Sequence, residues 1–462
     1  MNINPNTQEA YQLMHDGALA MSNAEQAGFH IDMEYVERKK AFLVKKMQRT
    51  EDQFKATDFF KHWQHTSKNK VNIHSPQQLS NFLYKIKKID VGNLTASGQG
   101  STNEETLKQL NIPELNLLLE TTRFKKPWDV LNGFANEQID GVVHPFYNLH
   151  LVRSFRSSSD SPNFQNIPKR DEEVMQLCRR AIFPRPGHQF LEIDYSGIEV
   201  RINACINKDP KLVKYVSDPK SDMHRDVAIQ LFLLDKLDKS LPEHSNLRYI
   251  AKNGFVFPEF YGSYWKNVAD QIACNHGKLG YGKWLPNQGI AMPEGTLSDH
   301  FLSKGIKTLT MFEEHVKKIE ADFWGKRFKV YSEWKNQNWD DYKKNGYVDL
   351  PTGFRCSGVM DKKQVNNYPG QGSAFHCLLW SFIQLDKTRI SQGWDAKLVG
   401  QIHDSIIVDV APRELEHVAK VARRITTQAL PQAWEWINVP LDVEMELCPV
   451  DGSWADKTKY IN

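Results

Sequence analysis

The chain has 462 residues, 40% hydrophobic and 25% charged, an ordinary globular composition that excludes a disordered or collagen-like polymer. Its 59 Lys and Arg against 56 Asp and Glu leave a formal charge of +3, so any attraction to a polyanion has to come from local clustering rather than from the field of the whole molecule. Six cysteines stand singly, which excludes a secreted disulfide scaffold, and neither a leader-like start nor a bilayer-length apolar run is present; the chain reads as soluble, cytoplasmic and free of the membrane.

From Asp32 to Phe54, the apolar residues Val36, Leu43, Met47 and Phe54 recur along one seam, with Lys and Arg on the other faces. This predicts a long amphipathic helix. The polar run GNLTASGQGST follows, and Thr102-Asn103-Glu104-Glu105 has the T-x-x-E form of a capping box opening a second helix toward Arg123. Two helices joined by a loop predict a projecting arm, whose basic residues are either a solvated face or a contact to a nucleic-acid backbone.

Beyond Gly141 the pattern changes to short apolar runs between turns. His188-Gln-Phe-Leu-Glu-Ile-Asp194 reads as a strand and GIEVRINACIN as the helix after it, with an acid at the joint. Residues 207–359 are mainly helical by pattern, apart from a Gly- and Pro-containing stretch between Gly277 and Gly305. KLVGQI and SIIVDV are strand-like runs on either side of His403-Asp404, and VPLDVEME is the last such run.

Asp194 and Asp404 therefore both stand at strand ends, which are rigid places to hold a carboxylate. Two carboxylates converging on one point hold a pair of divalent cations about 3.5–4 Å apart, the arrangement used in phosphoryl transfer. Hard oxygen ligands select Mg²⁺. In LRYIAKNGFVFPEFYG, Arg248 and Lys252 share a helical face ahead of Phe255, Phe257, Phe260 and Tyr261, and two cations beside aromatic rings suit a triphosphate joined to a base. Taken singly, each feature has a plainer reading: an isolated Asp is more often a turn residue or helix cap, and a basic pair more often lies on the surface.

Read together and in order, these segments resemble the polymerase portion of family A DNA polymerases, phage-encoded versions in particular. Motif A of that family is matched by Asp194-Tyr-Ser-Gly-Ile-Glu199-Val-Arg201, motif B by Arg248, Lys252 and Tyr261-Gly262, and motif C by Gln401-Ile-His403-Asp404. Arg156 with SPNFQNIP, Asp222-Met-His224 and Asn367-Tyr-Pro-Gly-Gln371-Gly fall in the family's order, as do the thumb-like NIHSPQQL and STNEETLKQL.

The resemblance implies an α+β multidomain right hand with an antiparallel-sheet palm, helical fingers and a helical thumb. Its expected divisions are an N-terminal tail at 1–18, thumb at 19–135, palm at 140–205 and 362–462, and fingers at 206–361. It implies extension of a primer 3′ end on template DNA with dNTPs and release of pyrophosphate. Two Mg²⁺ ions, with Mn²⁺ as substitute, would be ligated by Asp194, Asp404 and the backbone carbonyl of Tyr195. Arg248, Lys252 and His224 would grip the triphosphate, with Lys252 also protonating the leaving group. Tyr261 belongs to the nucleotide site, and Glu199 crowds the sugar 2′ position against ribonucleotides. Arg156, Asn367, Gln371 and His403 would touch the primer–template.

Three departures stand out. Gly197 replaces the usual Gln of motif A, and Ser405 replaces the Glu that usually follows the motif C aspartate. Motif B is one residue longer between Lys252 and Tyr261 and contains Pro258, which predicts a kink or bulge. Counting from its two ends picks either Phe257 or Val256 to stack on the base, and an aromatic face favours Phe257. Residues 266–307 exceed the family's usual link and form either a surface insertion or a docking site. With so little chain before the thumb-like start, no 3′→5′ editing domain is expected here, and a separate exonuclease or processivity factor is an expected partner.

Overall fold

The computed structural model describes residues 7–67, 70–90, 94–95, 98–169 and 171–461. Residues 1–6 of the expected tail, part of the Gly/Ser-rich run and the Glu105 side chain of the expected capping box lie outside them. At the centre is a five-stranded antiparallel sheet in the order Lys397–Ile402, Ser405–Val410, Gln189–Tyr195, Val443–Leu447, Thr458–Lys459.

The middle strand, Gln189–Tyr195, is buried along nearly its whole length, although Gln189, Glu192 and Asp194 interrupt its apolar residues. Leu191, Ile193 and Tyr195 face the largest core, shared with the helices Ile198–Asn207 and Lys362–Gln392. Phe190 belongs to a second core with Phe29, Phe164, Ile407 and Trp454. Covering on both faces buries even Glu192, whose Oε2 accepts from Trp454 Nε1 at 2.9 Å and Lys457 Nζ at 2.7 Å.

The arm is present and rooted in that second core. Helix Met33–Ala56, capped by the Asp32 side chain accepting from Tyr35 N, packs along helix Pro113–Glu137. Leu43, Phe124, Leu131 and Phe134 join Phe190 at the root, whereas Phe54, Trp63, Phe82, Leu107 and Leu115 build a separate core at the far end. The expected capping box is displaced: Asn103, not Thr102, caps helix Glu104–Gln109 by accepting from Thr106 N. The continuous helix expected from there toward Arg123 is two helices. Asn111 turns left-handed at φ +50°, Pro113 disfavours helical backbone at Ile112, and the chain restarts at Pro113.

From Thr7 onward the expected tail is also helical. Thr7–Ala27 packs on helix Lys362–Gln392 and on the edge strand Lys397–Ile402, burying Ala10, Leu13, Ala20, Met21 and Ala24. Gly17 permits this approach, because a Cβ there would come within 2.9 Å of the Leu379 methyls. Within the stretch 277–305, the chain forms a two-stranded ribbon, Leu279–Gly280 with Lys283–Trp284, and then helix Leu297–Ser303.

Candidate active site

Asp194 is the penultimate residue of the central strand, and Asp404 lies in the two-residue turn between the neighbouring strands. The register pairs Ser405 with Asp194, and Tyr195 N–H donates to the Asp404 carbonyl at 3.1 Å. His403 takes the left-handed conformation the turn needs, φ +55°. The sheet ladder thus brings together two acids that the sequence holds far apart.

Burial first and the Asp404 charge second push the Asp194 carboxyl well above the usual carboxylate range. Among the described residues, the cation within ion-pair reach of Asp194 is Lys169, whose Nζ lies 4.0 Å from Oδ2. Two crowded carboxylates with one exposed ammonium leave unbalanced negative charge, and a pair of hard divalent cations fits this donor set. The Tyr195 side chain turns away into the core, where its hydroxyl and Ser381 Oγ lie 2.7 Å apart in a hydrogen bond.

Motif A continues through Gly197 at φ +60° into helix Ile198–Asn207. No atom lies within 4 Å of where its Cβ would be, so the departure from the family residue leaves open space and relieves backbone strain. Glu199, in the first turn, accepts from Arg156 Nη1 at 3.2 Å through Oε1 and from the Tyr261 hydroxyl through Oε2. Burial and the Glu199 charge push the Tyr261 hydroxyl's pKa up, keeping it a donor.

The added residue of motif B is absorbed by a π-helical turn, Lys252–Val256, in which Phe257 N–H donates to Lys252 O. Pro258 follows directly on that turn, in the short helix Phe257–Phe260, so the bulge expected at the proline is the π turn itself. The turn leaves Val256 fully buried and places Phe257 on a pocket shared with Glu199, Tyr261, Asn367 and Gln371. Asn367 Nδ2 donates to Tyr261 O at 3.0 Å.

Beside this pocket, Lys252 Nζ lies 5.3 Å from the Phe257 ring centre, and the His224 and Phe257 rings form a T-shaped pair with centres 5.8 Å apart. Burial, then Arg248 and Lys252, push His224 down to about 4, so its ring is neutral at pH 7. Its Nδ1 is buried without a hydrogen-bond partner among the described residues. Arg248 Nε donates to both Asp222 oxygens at 2.9 and 3.1 Å, and Lys239 Nζ joins them at 2.6 Å. Burial raises Asp222, but these bonds outweigh it and hold the carboxyl well below its usual range.

Sequence reasoning assigned no role to several residues that hold this site. Gln401 Oε1 accepts from Ser157 Oγ at 2.6 Å and Gln165 Nε2 at 2.7 Å, while Gln401 Nε2 donates to His403 O at 2.6 Å. This knot, centred on the fully buried Gln401, ties SPNFQNIP to the Asp404 turn. Asp222 and Lys169 were likewise passed over. Their signal was the motif text itself, since Ser157, Gln165, Lys169, Asp222 and Gln401 all lie within or beside the quoted matches.

Comparison with known proteins follows the same lines. A family model described as DNA polymerase family A matches residues 38–278 and 302–455. The chain is similar to DNA polymerase I of Aquifex aeolicus, 29% identical over 424 residues, covering 90% of this chain and 63% of that protein. It is also similar to DNA polymerase I of Lactococcus lactis subsp. lactis, 28% identical over 380 residues, covering 81% of this chain and 38% of that protein. The chain thus spans less than two thirds of either relative. Among solved structures, the POL domain of Pol1 from M. smegmatis, in complex with DNA primer-template and dNTP, shares the fold with a TM-score of 0.74. That match has 22% identity and covers 96% of this chain and 70% of the other.

Proposed function

The chain belongs to DNA polymerase family A, and on that premise we propose that it is a DNA-directed DNA polymerase extending a primer 3′ end with dNTPs. The observation that carries this reading is the Asp194–Asp404 pair at one end of the sheet, with the Glu199–Phe257–Tyr261 pocket and the Arg248–Lys252–His224 cluster close by. Relatives named DNA polymerase I and a like-folded domain bound to primer-template and dNTP support it. In this reading the sheet is the palm, the rooted arm the thumb, and the helical excursion over 206–361 the fingers.

Asp194, Asp404 and the Tyr195 carbonyl would hold two Mg²⁺ ions, or Mn²⁺ in their place, which when bound lower the pKa of the primer 3′-hydroxyl and neutralise charge on the leaving pyrophosphate. Arg248 and Lys252 hold the triphosphate by charge, and His224 lends it a neutral hydrogen-bonding edge. Lys252 gives a proton to the leaving pyrophosphate oxygen. Phe257 stacks on the base, and the doubly anchored Glu199 carboxylate meets a ribose 2′-hydroxyl with no room to move. Arg156, Asn367, Gln371 and His403 line the path of the primer–template, where minor-groove acceptors look alike for every correct pair. Closure of the fingers around a fitting nucleotide completes the site.

The test is primer extension in Mg²⁺ with dNTPs and, separately, rNTPs. Extension with dNTPs supports the reading, and preferential use of rNTPs overturns it. We assign synthesis but no 3′→5′ editing to these residues; shortening of a mismatched primer by the pure protein would contradict that. No helix among the described residues is long and apolar enough to cross a membrane.

A further inference from the structure

The family match passes over residues 279–301, so this stretch is an addition to the family's plan. It folds against one end of the fingers helix Trp265–His276. Ile290 N–H donates to His276 O at 2.9 Å, taking up a carbonyl that the helix end leaves free. Gly289, at φ +92°, approaches so closely that a Cβ would stand 2.8 Å from that same oxygen. Trp284 lies over Gly277, where a Cβ would come within 2.2 Å of the indole, and its ring packs against Phe301 at 5.1 Å and Phe312 at 5.8 Å. The addition therefore braces the His276 end with a packed aromatic core.

The same helix touches the thumb. Helix Glu104–Gln109 lies against Trp265–His276, and the proton affinity of His276 is lowered by burial and then by the charge of Lys108. Helix Glu104–Gln109 belongs to the far core of the thumb, through Leu107 with Phe82 and Leu115, whereas the thumb's root packs on the palm around Phe190. The fingers return to the palm through Ile198–Asn207 and Lys362–Gln392. Palm, thumb and fingers thus form a closed circuit.

We propose that the thumb tip and the braced fingers helix close the enzyme into a ring around the primer–template duplex, so that dissociation requires this contact to open. A ring of this kind gives processive synthesis to the chain on its own. The identity of the encircled duplex rests on the polymerase reading, but the closure itself does not.

The test uses the full chain carrying Lys108→Cys and His276→Cys in a Cys274→Ser background, joined by a short bismaleimide. Linked after binding to a primed single-stranded circle, the protein is expected to stay on that circle in high salt about 10²-fold longer than on a linear primer–template. Linked beforehand, it is expected to load on linear DNA ends and to fail on the circle. Equal release from circle and linear DNA overturns the proposal. So does absence of the link when each single cysteine reacts with the reagent. Replacing 279–301 by a short Gly/Ser linker is expected to shorten products made in one binding event while first-nucleotide addition is unchanged; unshortened products overturn the bracing role. Retention is read by DNA binding, so a protein that is trapped on circles yet extends no primer fails the polymerase reading alone.

Discussion

Tyr261, at the end of motif B, donates its hydroxyl to Oε2 of Glu199 in motif A, 62 positions away, while Arg156 holds the other carboxylate oxygen. Glu199 is thereby held from two sides, by Tyr261 and by Arg156. A carboxylate pinned in this way cannot swing aside for an added 2′-hydroxyl.

Glu199→Ala is therefore expected to lower discrimination against rNTPs by about 10- to 10²-fold, the range that one hydroxyl contact commands. Tyr261→Phe, which frees one carboxylate oxygen, should fall between that variant and wild type. The measurement is the ratio of kcat/KM for dNTP and rNTP. An unchanged ratio in Glu199→Ala would remove Glu199 from the sugar gate.

Asp222 both caps helix Met223–Leu231 and orients Arg248. Losing a charge-assisted bond of this kind costs about 1.5–3 kcal/mol, so Asp222→Ala should raise the KM for dNTP about tenfold. The kcat should change much less. A purely structural cap would instead lower thermal stability and leave KM alone. Because the folded-state carboxyl is held below its usual range, the stability it lends is present above the unfolded carboxylate pKa and is lost as pH falls through the lowered folded value.

Glu259, within motif B and 1% exposed, accepts from Trp324 Nε1 at 2.7 Å and lies beside Glu320, with Lys335 Nζ 3.1 Å from the Trp324 ring centre. Burial, with the charge of Glu320, pushes its carboxyl well up. An acid raised in the folded state contributes stability that is full below its unfolded pKa and is lost as pH rises through the folded value. Glu259→Gln, which keeps the neutral shape, should melt above wild type at pH 9 and with it at pH 5. Parallel Tm–pH curves would contradict the assignment.

Gly197→Ala puts a side chain into empty space but onto left-handed backbone. A loss of about 1–2 kcal/mol in urea denaturation is expected from that conformation alone. No loss would mean that Gly197 is not held left-handed in solution.

Much of this arrangement is legible in the sequence. The acids at strand ends, the long amphipathic helix of the arm and the Arg248–Lys252 pair on one helical face follow from period and spacing. Elements built on small residues are not: Ala10, Gly17, Ala20 and Ala24 pack tightly in helix Thr7–Ala27 yet carry little apolar signal. The π turn over Lys252–Val256 breaks the 3.6-residue period, so counting from the two ends of motif B gives two different residues, Phe257 and Val256. The Gln165–Gln401 knot joins residues 236 positions apart, and no local pattern reports such a pair.

The most direct test of the central claim is the Mg²⁺-dependent primer extension rate of Asp404→Asn beside wild type. The Tyr195 N–H bond goes to the backbone carbonyl of residue 404, so the turn survives the change and the melting temperature should hold. Removing one charge at the site where the reaction develops charge is expected to slow extension about 10³-fold. A folded Asp404→Asn protein that extends primers at the wild-type rate would contradict the account.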